Sequence, residues 1–120
     1  MFGAAGTLYV YLSYGIHHCL NVVTGPVGSG QAVLIRSLDI VDGLDIVRAR
    51  RGGVEDSRLA RGPGNVAAAL GIDRRHDATS VLGGGPVTVM ADSCDPPAAP
   101  TTTPRIGISK AADRLWRFVA

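Results

Sequence analysis

Side chains in the first third of the chain alternate as pleated strands require. Tyr9 and Tyr11 fall on one side of a two-residue repeat, and Val10, Leu12 and Tyr14 fall on the other. β-branched and aromatic residues are frequent here, and short turns containing Gly or Pro separate the strand-like stretches. Successive strands with such short links favour an antiparallel meander. The predicted strands are residues 7–14, 18–24 and 31–38.

The middle of the chain changes to helical spacing. Residues 43–51 place apolar side chains along one stripe, and two glycines follow them. Residues 57–61 suit a short helical turn. Asn65 is a favourable N-cap for a helix over residues 66–70, and Gly71 suits the position just after that helix. The pattern therefore predicts short helices and no long one.

The last third is less regular. We predict a polar loop over residues 73–85, a strand over 86–91, an exposed loop over 95–104, and closing strands over 105–109 and 116–119. Together with the earlier elements, this pattern predicts an α+β fold. We expect one domain over the whole chain, with an antiparallel β-sheet and short helices.

Composition agrees with one small, folded domain. The chain has 120 residues, of which 46% are apolar, 16 are Gly and 7 are Pro. No apolar run is long enough for a membrane span, and the N-terminal stretch lacks the basic start of a secretory signal. We therefore expect a cytoplasmic protein with no membrane partner. Cys19 and Cys94 are far apart in the sequence and are expected to be free thiols.

Standard catalytic and ligand-binding motifs are weak in this sequence. Residues 62–65 (GPGN) precede a predicted helix, which suits either an anion site or a simple turn. His17, His18 and Cys19 are adjacent, but neighbours in a strand point to opposite faces, so they do not converge on one ion. The ten carboxylates fall mostly in turns or on helix surfaces. We predict neither a metal nor a cofactor, and spacing alone assigns no general base.

The three tyrosines form the most distinctive cluster. Tyr9, Tyr11 and Tyr14 are all the tyrosines of the chain, and Asn21 and Arg36 lie on neighbouring predicted strands. Aromatic faces stack on bases, while Asn and Arg bind base edges or phosphates. A tyrosine-rich strand that packs on a core would give the same pattern. The residues alone leave both readings open.

These residues also carry a resemblance over nearly the whole chain. The sequence resembles the alkyladenine (3-methyladenine) DNA glycosylase family in the order and spacing of its motifs. The resemblance implies base-excision DNA repair: a damaged purine is flipped out of duplex DNA and its N-glycosidic bond is hydrolysed without a metal. The matching segments are residues 6–11, 14–15, 19–22, 33–36, 38, 43, 50–51, 59, 62–64, 69–72, 105–108 and 116–118.

The resemblance also implies roles for residues in the first hairpin. By the family match, Tyr11 would stack on the flipped base. Tyr14 would be the wedge that fills the position vacated in the duplex. Ile16 and His17 would contact the minor groove, although His17 departs from the aromatic or apolar residue common at that position.

Further roles follow from the same match. Asn21 would line the base pocket and disfavour the exocyclic amine of guanine. Arg36 would position the attacking water and contact a phosphate. A backbone carbonyl within residues 105–108 would help to hold that water, and Ile106 and Ile108 would contribute to substrate binding.

One departure bears on activity. The family carries a Glu-x-Tyr motif and a following His upstream of the point that matches Met1 and Phe2, and its C-terminus extends slightly further. We therefore expect a chain truncated at the N-terminus, and slightly at the C-terminus. The Glu would activate water, and a positioned base contributes about 10²–10⁴-fold in rate. The chain as written is expected to be weak or inactive.

Two alternatives remain beside a repair glycosylase. The chain could be a catalytically dead DNA-binding remnant, or an unrelated small α+β interaction domain. Under the family hypothesis the partner is double-stranded DNA with a damaged purine, and the protein is a nucleoid-associated monomer. Lesion preference among alkylated purines, hypoxanthine and etheno adducts is left open.

Overall fold

The computed structural model describes residues 1–119. These residues fall into two compact units, residues 1–90 and 91–119, and each is considered by itself. Both units contain antiparallel strands, and the first also contains helices. The predicted α+β class is confirmed. No helix in the described part of the chain is long and apolar enough to cross a membrane.

The predicted meander forms the centre of the first unit. Strands β1 (Leu8–Ser13), β2 (His17–Thr24) and β3 (Gln31–Leu34) pair antiparallel in the order β1-β2-β3. β3 is shorter than predicted because the chain turns towards the next elements soon after Leu34. The carbonyl of Arg36 already accepts a hydrogen bond from the Gly62 backbone N–H, at 2.8 Å.

Two α-helices follow the sheet. Helix α1 (Leu44–Arg50) and helix α2 (Pro63–Leu70) are separated by a 3₁₀ turn at Asp56–Arg58. The predicted N-cap at Asn65 is wrong, because α2 begins at Pro63, three residues before the predicted start, and its N-cap is Gly62. Pro suits the first helical position, where the N–H that it lacks would have no partner anyway. The predicted end at Gly71 is confirmed by its left-handed backbone, with φ of 69°.

Asn65 has a different role inside the first turn of α2. Its amide nitrogen donates to the Arg61 carbonyl at 2.6 Å. Its Oδ1 accepts from the Arg51 guanidinium at 2.7 Å, and the same guanidinium donates to the Leu59 carbonyl. The side chain therefore links the start of α2 to the end of α1.

The hydrophobic core lies between the sheet and the helices. β1 and β2 contribute one row of side chains, and α2 contributes small residues that allow close approach. Loop residues close the remaining sides of the cluster. The buried set comprises Leu8, Val10, Leu20, Val47, Leu59, Ala60, Val66, Ala67, Ala69, Ile72 and Val81.

The outer edge of β1 is closed by a loop rather than by a fourth strand. The Leu8 N–H donates to the Thr79 carbonyl at 2.7 Å. The Val10 N–H donates to the Asp77 carboxylate at 2.8 Å, and the Arg74 guanidinium donates to the Val10 carbonyl at 2.9 Å. Side chains of the loop therefore satisfy backbone groups that a neighbouring strand would otherwise pair.

The segment predicted as a loop over residues 73–85 is partly helical. A 3₁₀ turn covers Arg74–His76, capped by Asp73, whose carboxylate accepts from the Arg75 backbone N–H at 2.9 Å. The Arg75 guanidinium beside Asp73 holds the pKa of that carboxyl well below its usual range. Most of the remaining segment is irregular, as predicted.

The strand predicted over residues 86–91 is wrong. This segment makes one backbone hydrogen bond to the rest of the first unit, from the Val89 N–H to the Val81 carbonyl at 2.8 Å. The run Gly83–Gly85 precedes it, and Gly83 and Gly84 have positive φ, so the chain turns before a ladder can extend. Alternation alone gave no sign that a pairing partner was lacking.

The second unit contains one pair of short strands. β4 (Thr101–Thr103) pairs antiparallel with β5 (Arg117–Val119), and the latter confirms the predicted closing strand. The prediction of irregular structure over 95–104 is wrong for its last part, because three β-branched threonines find a partner there. The predicted strand over 105–109 is also wrong, and Gly107 has φ of 74° in the middle of it.

Candidate functional site

Strand register places the candidate residues on one face of the sheet. Tyr9 is opposite Asn21, and Tyr11 is opposite Cys19. Asn21 is in turn opposite Leu34 of β3. Because side chains alternate across a strand, these five residues share the face opposite the core row. We call this set the tyrosine face.

The two tyrosine rings form a continuous aromatic surface. The ring centroids of Tyr9 and Tyr11 are 5.6 Å apart, and their planes are tilted by 32°. This separation is within the range of favourable aromatic pairs. Both side chains are only partly buried, so the pair presents flat apolar area to solvent. Such a surface suits a planar ligand.

The phenol of Tyr11 is held in its neutral form. Burial raises its pKa above the ordinary value, and a hydrogen bond with the Cys19 thiol raises it further. The nearby Tyr9 also raises this pKa, while the positive charge of Arg36 acts in the opposite direction. Near neutral pH the ring is therefore uncharged, and Arg36 is close enough for its charge to act on the site.

Asn21 is the buried polar residue of the tyrosine face. Only 6% of its surface is exposed. Its amide nitrogen donates to the backbone carbonyls of Tyr9 at 3.1 Å and Cys19 at 3.4 Å. The amide cannot rotate without breaking these bonds. It therefore forms a fixed wall rather than an adaptable contact.

The hairpin between β1 and β2 projects apolar side chains into solvent. The predicted strand over 7–14 is one residue too long at each end. Thr7 makes only an isolated bridge, to Ser80, and Tyr14 lies in the turn with φ of 50°, followed by Gly15 with φ of 71°. The Ile16 N–H closes the turn on the Ser13 carbonyl at 3.1 Å. Tyr14 is 89% exposed and Ile16 72% exposed. Burying these side chains against a partner would be favourable.

A shallow cleft separates this hairpin from the start of α2. It has a volume of about 280 Å³ and includes Tyr14 and His17 on one side and Gly62–Asn65 on the other. The approach is close, since a Cβ added at Gly64 would lie 3.0 Å from the His17 Cβ. The structure therefore brings Tyr14 and His17 together beside the GPGN turn.

Ile106 and Ile108 belong to the second unit, where both are exposed. Their expected part in substrate binding stays a prediction, as does the water-holding carbonyl within residues 105–108. Among residues 1–119, no group of three or more His, Cys, Asp or Glu side chains is positioned to hold a metal ion. None of the residues of β1, β2 and β3 is an aspartate or glutamate, so these strands supply no carboxylate to the tyrosine face.

Sequence reasoning missed three residues that support this site. Cys19 follows from the register, since a three-residue turn over residues 14–16 pairs Ser13 with His17 and therefore Tyr11 with Cys19. Asp77 and Arg74 reach Val10 from more than sixty residues away, so no local pattern reveals them.

Comparison with known proteins defines the class to which this fold and site belong. The sequence model described as Methylpurine-DNA glycosylase (MPG) matches residues 1–120. The chain therefore belongs to the methylpurine-DNA glycosylase family.

Curated relatives agree with this assignment. The chain is 50% identical to a protein of Nocardia farcinica, 49% to one of Methanoculleus marisnigri and 46% to one of Corynebacterium glutamicum. All three bear the name "Putative 3-methyladenine DNA glycosylase". Each match covers 98% of this chain, but only 57%, 62% and 61% of the respective relative. The chain spans about three fifths of the length of these relatives.

Proposed function

We propose that this chain recognises a damaged purine flipped out of double-stranded DNA, within base-excision repair. The observation that carries the proposal is the half-exposed ring pair of Tyr9 and Tyr11, with Asn21 fixed beside it and the exposed Tyr14 at the adjacent hairpin tip. A stacking surface, a rigid polar wall and a projecting wedge are what extraction of a base requires. Family membership supports DNA as the partner.

The tyrosine face would bind the extruded base. A neutral Tyr11 ring stacks on a purine, and an electron-poor alkylated purine gains most from that contact. Asn21 cannot turn away, so a purine with an additional exocyclic amine would meet a fixed side chain. The proposed selectivity against guanine is therefore steric.

The hairpin tip would enter the duplex. Tyr14 would fill the space that the base leaves, with Ile16 and His17 against the minor groove. The cost of unstacking is a few kcal/mol per step, and burial of exposed apolar side chains offsets part of it. Arg36 would contact a phosphate and orient the attacking water. A backbone carbonyl within residues 105–108 would help to hold that water, and Ile106 and Ile108 would contribute to substrate binding.

The reaction proposed for the family fold is hydrolysis of the N-glycosidic bond. The water oxygen bonds to C1′ as the bond from C1′ to the purine nitrogen breaks. The bonding electron pair leaves with the purine. For an alkylated purine it neutralises the positive charge of the base, and the proton lost by the water passes to solvent; a neutral base such as hypoxanthine takes up that proton instead. Because β1, β2 and β3 carry no carboxylate, we expect release about 10²–10⁴-fold slower than with a positioned base.

Two measurements test this proposal. The chain is incubated with duplex DNA that contains hypoxanthine, and abasic sites are quantified under single turnover. Binding to a duplex with a pyrrolidine abasic analogue is measured by fluorescence anisotropy. We expect slow release, and tighter binding to the analogue duplex than to undamaged DNA.

The Tyr14→Ala variant should lose the preference for the analogue duplex. Val41→Ala is the matched control, because Val41 is another exposed apolar residue, at 97% exposure. Equal effects of the two substitutions would contradict the wedge. Fast release would contradict the expected weakness of catalysis. Complete lack of binding at low salt would favour an unrelated interaction domain.

A further inference from the structure

The second unit contains an exposed tryptophan between two arginines. The guanidinium carbon of Arg105 lies 5.2 Å from the centroid of the Trp116 ring, and that of Arg114 lies 5.5 Å from it. Trp116 is 59% exposed. Both distances are within the range of cation–π attraction. We call these three residues the tryptophan cluster.

The backbone fixes one side of this cluster. One terminal nitrogen of Arg105 donates to the carbonyls of Lys110 and Ala111, at 3.0 and 3.2 Å. The Nε of Arg105 is buried and has no hydrogen-bond partner. Arg105 is thus the anchored member, whereas Arg114 lies on the exposed side.

Positive charge is concentrated around this cluster. Residues 105–119 contain four basic residues and one acidic residue, a net charge of +3, so the preceding 104 residues carry −1 of the total +2. The ion pairs among the described residues involve Arg48, Arg74, Arg75 and His76. None involves a basic residue of 105–119. This segment therefore offers cations that no carboxylate of the described chain neutralises.

We propose that the tryptophan cluster binds the sugar-phosphate backbone of the DNA duplex, in addition to the contacts proposed for the tyrosine face. A guanidinium held over an aromatic ring keeps N–H donors at its rim, where they fit phosphate oxygens. The ring limits the rotamers of both arginines, which lowers the entropy lost on binding. This proposal rests on the proposed function, because it requires DNA as the partner.

The test measures DNA affinity across a salt series. Each neutralised phosphate contributes a slope of about −0.9 to log K against log salt. Arg114→Gln should make the slope shallower by about one unit, which corresponds to roughly tenfold weaker binding near 0.1 M salt. Because the contact is to the backbone, undamaged and abasic-analogue duplexes should weaken equally.

Two further variants sharpen the test. Arg58→Gln removes the same charge from another exposed arginine, whose side chain makes no hydrogen bond within the described residues, and it should change the slope less. Trp116→Leu removes no charge but releases both guanidinia, so affinity should fall while circular dichroism stays unchanged.

The outcomes separate this proposal from the proposed function. Equal slopes for the Arg58 and Arg114 variants would overturn the cluster as a contact site, even where Tyr14→Ala still removes lesion preference. Loss of lesion preference in Arg114→Gln, with the slope intact, would also overturn a backbone contact. Lack of any DNA binding by the unmodified chain would overturn both proposals.

Discussion

The carboxylate of Asp77 satisfies a backbone group in the middle of the strand that carries the site. Val10 is completely buried, and its N–H donates to Asp77 Oδ1 at 2.8 Å. Tyr9 and Tyr11 lie on either side of Val10 in the same strand. Asp77→Ala leaves this N–H without an acceptor and creates space at the strand edge. We therefore expect a loss of stability and a less ordered tyrosine face.

The size of the loss follows from the geometry. A buried donor left without a partner costs about 1–3 kcal/mol. The ion pair between Asp77 and Arg74 adds little, because its atoms are 3.9 Å apart and the Arg74 side chain is 61% exposed. The hydrogen bond therefore dominates, and Asp77→Ala should cost about 1–3 kcal/mol. Asp77→Asn retains an acceptor oxygen and should cost less.

Urea unfolding followed by far-ultraviolet circular dichroism measures this effect. The midpoint should fall for Asp77→Ala with the slope unchanged. Asp39→Ala is the matched control, because Asp39 is exposed and its side chain makes no hydrogen bond within the described residues. Equal midpoints for the two variants would refute the reasoning. The reasoning would also be refuted if Asp77→Ala kept the full urea midpoint while Asp77→Asn lowered it.

Three further changes have defined outcomes. Leu59→Ala removes a core side chain that is 1% exposed and should lower the free energy of unfolding, measured in urea, by about 2–5 kcal/mol. A smaller decrease would mean that neighbouring side chains fill the cavity at residue 59. Gly64→Ala would place a Cβ 3.0 Å from the His17 Cβ and should therefore weaken DNA binding. Gly52→Ala is the control, because its added Cβ has no neighbour within 4 Å, and equal DNA affinities of the two variants would refute the prediction. The raised pKa of Tyr11 predicts that its phenol keeps its proton in the folded state above pH 10.0, the ordinary pKa. The stability that the protonated phenol contributes should therefore be complete below pH 10.0 and should be lost as pH rises through the folded-state pKa. Difference absorbance against Tyr11→Phe measures it, and titration at or below 10.0 would contradict it.

The sheet was predictable because its signals are local. Residues 14–16 form a three-residue turn between the paired residues Ser13 and His17, and that turn fixes which residues of β1 and β2 are opposite. The tyrosine face and its partners Cys19 and Asn21 follow from this register. Gly71 likewise ends α2 by its own conformational freedom.

The errors arise where two signals compete or where pairing is distant. Asn65 and Pro63 both mark helix starts, and the fixed φ of proline determined the outcome. Residues 86–91 have the alternation of a strand but pair with no other strand. Thr101–Thr103 do pair, with β5, although the prolines around them favoured an irregular segment. A strand is stabilised by pairing with a neighbouring strand, and the local sequence pattern does not show whether such a neighbour is available.

The support of β1 couples the tyrosine face to a distant part of the chain. Thr79 and Asp77 hold the outer edge of the strand, and Arg74 holds the Val10 carbonyl. The inner edge is held by β2, which also positions Asn21. Hydrogen bonds on both edges therefore restrain the strand that carries the aromatic rings, and a stacking surface loses less entropy on binding when it is already rigid. Substitutions in residues 73–80 should thus weaken lesion binding without touching the ligand, and their effect should scale with the loss of β1 hydrogen bonds rather than with the loss of charge.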